Sequence, residues 1–355
     1  MMTQRENYLR IKNFQNPEWI DCWMSISQDS WYLQKDEITT KILNQYPYLF
    51  RGQTFDTNLN AYNMPAPYSP GRYTDSWGCV WENIHSGVEG QVIFHPLGED
   101  AAFDSYIPPS EDQNDFAPMD WEAIKREAET SRNRGEIVQG NGWRLFDRMY
   151  FLRGFEQLMM DIAEDNPCLP RLIDMIWEQK RKWLKKWLDI GMDEIGFHTD
   201  IGTQKALMIS PAHFRKYLKP MFTDLFGMCR KAGSLVHLSS DGNILDIIGD
   251  LVECGVTSHD PQYRACTLEG IKNTYFGKPI TIQLDLDRQL FGSATPEELD
   301  EHVKTAVETL YRPEGGLTVF AGIAGEVSIA QMDALCKALT KYCRPRTDIG
   351  GPVLI

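Results

Sequence analysis

Residues 235–255 read LVHLSSDGNILDIIGDLVECG. Leu235-Val236-His237-Leu238 has the length and composition of a buried strand. Ser239-Ser240-Asp241-Gly242 is a polar turn with a glycine, and an amphipathic helical pattern follows to Gly255. A strand that ends in a polar turn and hands over to a helix is half of a βαβ unit, which predicts further copies in the surrounding chain.

It contains them. Residues 169–191 (LPRLIDMIWEQKRKWLKKWLDIG) carry apolar residues at helical spacing and stop at Gly191. Residues 210–233 (SPAHFRKYLKPMFTDLFGMCRKAG) open with Ser-Pro, a cap followed by proline at the first helical position, and end at Gly233. Residues 295–312 (TPEELDEHVKTAVETLYR) open the same way, with acidic residues in the first turn. Between these helices lie DEIGFHTD (193–200), SLVHLSSDG (234–242), VTSHDP (256–261), ITIQLDLD (280–287) and LTVFAGI (317–323). Each is the length of a buried strand, and alternation of strand and helix implies a parallel sheet. Candidates near 18–24, 74–81 and 135–141 bring the count to eight and predict a (β/α)8 TIM barrel over residues 71–355, with residues 1–70 as an N-terminal extension packed on it, one domain overall. A doubly wound open sheet is the alternative, but no GxGxxG or P-loop is present.

Composition narrows the function. The 355 residues are 42% hydrophobic, enough for a sizeable core. The net charge of −14 argues against nucleic acid and against anionic lipid. No run of 18 apolar residues or apolar leader appears, which predicts a cytoplasmic protein with no membrane partner. Eight cysteines at 22, 79, 168, 229, 254, 266, 336 and 343 form no CxxC pair and read as buried reduced thiols.

In a barrel, chemistry sits at the C-terminal ends of the strands. Those ends carry His198 and Asp200, His237 and Asp241, His259 and Asp260, and Asp285 and Asp287. Side chains two apart on a strand share a face, so His198 pairs with Asp200 and Asp285 with Asp287. Each Asp reads equally well as a helix cap, and His237 in an apolar strand reads as a core histidine. Together they make a rim fit for acid–base work, with Asp200 and Asp241 as candidates, or for a divalent metal. A second feature is GRYTDSWGCVWENIHSG (71–87), with Tyr73, Asp75, Trp77 and Trp81 inside nine positions. These aromatics fill a core or line a flat aromatic pocket beside a carboxylate.

Several stretches resemble the uroporphyrinogen decarboxylase superfamily, closest to its corrinoid-dependent methyltransferase branch: RENYLRIKNFQNPEWID (5–21), TDIGTQKALMISPAHFRKYLKPMF (199–222), SSDGNILDIIGDLVECGV (239–256) and LDLDRQLFGSATPEELDEHV (284–303). The resemblance implies a (β/α)8 barrel. In that branch the turn after the central segment reads His-x-Cys-Gly-Asn and holds zinc; here those positions are Ser239 and Asp241, and FAGIAGE (320–326) lacks the later cysteine. What remains for a metal is His237, Asp241 and Asp287, with zinc left open. Asp75 in TDSW is similar to the decarboxylases' catalytic aspartate, yet CWMSISQDSWYLQ (22–34) lacks their arginines. The resemblance then implies an O-demethylase methyltransferase component. Such an enzyme moves a methyl group from a methoxylated aromatic to the cobalt of a corrinoid (cobalamin) on a corrinoid-binding partner protein. Asp75, Asp200 and Asp241 are then the catalytic candidates, Tyr73, Trp77, Trp81 and His198 the substrate-binding ones, and a homodimer is admitted. A uroporphyrinogen-decarboxylase-like decarboxylase and a non-enzymatic ligand-binding barrel are the alternatives.

Overall fold

A computed structural model describes residues 2–50, 66–87 and 89–344. Residues 51–65 of the expected extension lie outside the described residues. In chain order the strands are β1 (Asp21–Ile26), β2 (Gly71–Thr74), β3 (Val80–Asn83), β4 (Gln91–Phe94), β5 (Gln139–Arg144), β6 (Glu194–His198), β7 (Leu235–Ser239), β8 (Ser258–His259), β9 (Thr281–Asp285) and β10 (Leu317–Ile323). β1 and β5 to β10 are seven parallel strands alternating with helices, an α/β TIM-barrel-like fold. The chain divides into two compact units, one of residues 1–69, 85–88 and 260–355, the other of residues 70–84 and 89–259.

In the first unit β1 pairs with β10 (Cys22 opposite Val319), and β10 with β9 (Val319 opposite Leu284). The strand Asp21–Ile26 therefore comes from the first 70 residues. Helices Pro296–Leu310 and Ile329–Cys343 pack on each other, and each begins with a reciprocal capping box, Thr295 with Glu298 and Ser328 with Gln331. Two otherwise orphaned N–H groups are satisfied at each start, so the predicted boundary at Thr295 has a physical cause.

The second unit holds the parallel order β5–β6–β7–β8 and a separate antiparallel sheet β2–β3–β4. The helix Cys168–Ile190 buries Leu169, Leu172, Ile173, Ile176, Trp183, Leu184 and Trp187 along one stripe and ends on left-handed Gly191. Each fully buried Leu or Ile of that stripe contributes roughly 1.5–3 kcal/mol. β5 lacks side chains where its neighbours need room: a Cβ on Gly142 would lie 2.3 Å from the Phe197 ring.

Two expectations are corrected. The eighth strand does not form at 74–81. Asp75 accepts from the backbone N–H groups of Trp77 (3.0 Å) and Cys79 (2.9 Å), which turns the chain back and makes β2 and β3 an antiparallel hairpin. The continuous helix expected over 210–233 is interrupted: Pro220 has no N–H to donate, and the run splits into Pro211–His213, a π-turn at Phe214–Leu218 and a helix at Lys219–Lys231. No described helix is long and apolar enough to cross a membrane.

Candidate active site at the ends of β5, β6 and β7

The turn that follows β7 is built into the loop that follows β6. Thr199 N donates to Ser239 O (2.9 Å), Ile201 N to Ser240 Oγ (3.1 Å), and Asn243 N to Thr203 O (2.8 Å). Gly242 sits at φ +85, and a Cβ there would lie 2.5 Å from the Gly202 carbonyl carbon, so this close approach demands glycine. Asp241 is not a helix cap, because Asn243 Oδ1 takes the Leu245 N–H (3.2 Å). The Asp241 backbone N–H donates to Asp200 Oδ1 (2.8 Å), while its side chain is exposed.

Asp200 connects onward. Its backbone N–H donates to Asp147 Oδ1 (2.7 Å), which also accepts from Thr199 Oγ1 (3.2 Å). Asp147 lies in the helix Phe146–Arg153, directly after β5, and is only 7% exposed. Burial, and then the neighbouring Asp200 charge, push its carboxyl from the ordinary 3.8 up to about 7. Arg144, at the end of β5, opposes that shift and is itself held by Glu89 (2.7 and 2.9 Å). Tyr150, one turn after Asp147, has its phenol raised far above its usual range by burial and by both carboxylates. The ends of β5 and β6 thus carry a carboxyl that is half protonated near neutrality, a second carboxylate beside it, a guanidinium and a phenol, and the turn after β7 adds the Asp241 N–H that holds the second carboxylate. Such a group is suited to give a proton to a reacting atom.

The Asp75 segment takes a different part. Asp75 is buried and accepts four hydrogen bonds: from Trp77 N, Cys79 N, Trp81 Nε1 (3.1 Å) and Arg148 Nη1 (2.8 Å). Arg148, fully buried, also donates through Nη2 to Asp115 (2.5 Å), which accepts from Trp143 Nε1 as well. Burial works against the Asp115 charge, but Arg148 and Lys180 outweigh it and its carboxyl lies below the ordinary range. Lys180 is buried against the faces of Trp77 and Trp183, and loss of hydration lowers its ammonium to about 7. Trp77 and Trp81 are 3% and 2% exposed, and Tyr73 stacks on Trp81 with ring centroids 5.9 Å apart. The aromatics expected to wall a pocket are therefore packed around an internal ion-pair network, and all four of the Asp75 hydrogen bonds come from the protein.

The remaining candidates fall elsewhere. His198 ends β6 and is exposed. His237 is a core histidine: Nδ1 lies 3.1 Å from Ser258 Oγ, which donates to Glu194 Oε1 (3.3 Å). Asp287 caps the short helix Arg288–Phe291 by accepting from Gln289 N (3.2 Å), and its other oxygen accepts from Arg264 Nε (2.6 Å). Among the described residues no three His, Cys, Asp or Glu side chains gather as a metal-ligand set. The set His237, Asp241 and Asp287 does not fit zinc, because the imidazole is engaged in the core and Asp287 in its cap and ion pair. Sequence reasoning missed Asp147, Arg148, Asp115, Lys180 and Arg144. The available signal was the charged pair Asp147-Arg148 inside the apolar run LFDRMYFL (145–152), where an unpaired charge would be costly.

The fold is shared with known structures. A methyltransferase from Methanosarcina mazei superposes with a TM-score of 0.70 at 15% identity, covering 96% of this chain and 99% of that one. The YdhT protein from Bacillus subtilis (TM-score 0.44, 10% identity, 99% and 95% covered) and the Bacillus subtilis mannanase BCman (0.42, 11%, 99% and 97%) are too distant to carry an argument. No family model and no curated protein matches the chain.

Proposed function

We propose that this protein is a methyltransferase that takes a methyl group from an aromatic methyl ether and passes it to the cobalt of a corrinoid on a partner protein. The observation that carries the reading is Asp147: a buried carboxyl at the C-terminal end of a parallel strand, raised to about 7, beside Asp200 and within reach of a phenol. The reaction needs such a group. A reduced cobalt centre supplies the electron pair for the new Co–C bond, the O–CH3 bond breaks, and its electron pair stays on oxygen. An aryl oxide leaves poorly near neutral pH, and a proton from Asp147 to that oxygen yields the neutral phenol. Asp200 raises the proton affinity of Asp147 through its charge, and its backbone N–H orients the accepting oxygen. Arg144 and Tyr150 then bind the polar side of the substrate. The fold shared with the Methanosarcina mazei methyltransferase supports the reading. No step runs through zinc.

The test is direct: incubate the protein with reduced cobalamin and a panel of methoxyarenes, methylamines and methanol, and follow methylcobalamin in the visible spectrum. Methoxyarene-dependent methylcobalamin is the expected result. A response to methanol or methylamine alone removes the ether reading, and no response to any donor, with free cobalamin or with a corrinoid protein, removes the methyltransferase reading.

A further inference from the structure

A concavity lies in the unit of residues 1–69, 85–88 and 260–355, at the N-terminal ends of β1 and β10. It has a volume of about 490 Å³, within the span of small-molecule sites. Trp19, Tyr311 and Tyr342 supply aromatic walls, Ile20 and Leu317 an apolar floor, and Arg312 a buried cation; the lining also holds the exposed Glu18 and Glu308, and Lys341, which is paired with Asp300. None of these residues belongs to the strand ends described above.

Arg312 is the unusual group. It is only 7% exposed, and no carboxylate lies within ion-pair distance of it among the described residues. Nη2 donates to the carbonyls of Gly316 (2.8 Å) and Ile280 (3.4 Å), and buried Nε has no hydrogen-bond partner. Its guanidinium lies over the rings of Phe14 (4.9 Å) and Phe276 (5.0 Å). By contrast, the other deeply buried arginines among the described residues, Arg148 and Arg153, each bind two carboxylates. A buried guanidinium left with carbonyls and ring faces keeps unused hydrogen-bonding capacity, and its charge is met only at a distance, by Glu314. Arg312 is also one of the residues lining the concavity, whose walls are aromatic.

We propose that this concavity binds a small planar organic carboxylate, its anionic end on Arg312 and its flat body between Trp19, Tyr311 and Tyr342. A guanidinium matches a carboxylate in charge and in its paired donors, and aromatic walls favour a flat body over a hydrated inorganic ion. The inference stands apart from the methyl-transfer reading, and its failure leaves that reading untouched.

The experiment uses the full chain and three probes: benzoate, benzyl alcohol as its neutral counterpart, and inorganic phosphate. Binding is read by isothermal titration and by NMR shifts of the Trp19 indole N–H, assigned with Trp19→Phe. Benzoate is expected to bind and to move the Trp19 signal, with affinity lost about ten- to a hundredfold in Arg312→Gln and largely kept in Arg312→Lys. Should Arg312→Gln fail to fold, Tyr311→Ala serves instead: Tyr311 is 52% exposed, and its removal is expected to weaken benzoate severalfold without unfolding the chain. Equal binding of benzyl alcohol overturns the role of the charge. Tighter binding of phosphate overturns the planar ligand. Benzoate binding that leaves the Trp19 signal unmoved, or no binding by about 10 mM, overturns the site.

Discussion

Replacing Asp147 by Asn tests the proton donor and the energetics of its burial together. The side chains are nearly isosteric, and the amide oxygen still accepts from Asp200 N and Thr199 Oγ1, so the loop geometry is retained. What is removed is the titration. Asp147 has a folded-state carboxyl raised from 3.8 to about 7. The folded protein therefore holds a proton that the unfolded chain has released across roughly pH 4 to 7, and stability falls as pH rises through that window. The gap of about three pH units corresponds to ~4 kcal/mol, an upper estimate, present below pH 4 and gone above 7. Urea unfolding at pH 4.5, 6 and 8.5 is the assay. Asp147→Asn is expected to flatten this part of the pH dependence and to be more stable than the parent at pH 8.5, by as much as ~4 kcal/mol, with the difference vanishing toward pH 4. Methyl transfer is expected to drop by about a hundredfold or more, and the parent's rate to fall above about pH 7 as the acid ionises. A folded Asp147→Asn protein with full methyl transfer would refute the assignment of the acid, and an unchanged pH dependence of stability would refute the electrostatic argument.

Asp241→Asn is expected to change the rate by less than about tenfold, since its contribution to Asp200 runs through the backbone N–H; steady-state methyl transfer checks this. Arg148→Met strands two buried carboxylates, Asp75 and Asp115, and is expected to cost ~3–5 kcal/mol in urea unfolding. Gly142→Ala drives a methyl group into the Phe197 ring and is expected to cost ~1–3 kcal/mol, read as a lowered Tm. Thr295→Ala removes one half of a capping box and is expected to cost about 1 kcal/mol by the same measurement.

Much of the fold was legible because its signals are local. The strand runs 193–200, 234–242 and 317–323 are short and apolar, and their helices carry Gly stops or Thr/Ser-Pro starts that act within one turn of the chain. The stretch at 74–81 misled for the same reason. Its apolar residues look like a strand, and the Asp75 side chain that reverses the chain looks like a candidate catalyst. The rim side chains divided by what the fold brought to them. Asp287 met Arg264 and a helix start, His237 met Ser258, and Asp200 met Asp147, a residue 53 positions away that no local pattern ties to it. Burial of a charged side chain is a tertiary fact, and sequence shows only the apolar neighbours that make it expensive.

The helix Phe146–Arg153 shows how the structural and chemical parts depend on each other. Successive side chains on a helix point about 100° apart. Asp147 therefore faces the loop after β6, while Arg148, its neighbour, reaches back to Asp75 and Asp115. One turn on, Tyr150 and Phe151 surround the same point, and Phe151 packs edge-on against Trp81 at 4.8 Å. The ion-pair network of Arg148 with Asp75 and Asp115 thus anchors the helix that carries Asp147. It fixes the helix against the β2–β3 hairpin with bonds that leave Arg148 little rotational freedom, and the adjacent carboxyl inherits that rigidity. A proton donor must hold its position within a few tenths of an ångström of the departing oxygen. If Asp147 is the proton donor proposed above, the buried network around Asp75 serves it through position, and the proton moves from the carboxyl beside that network.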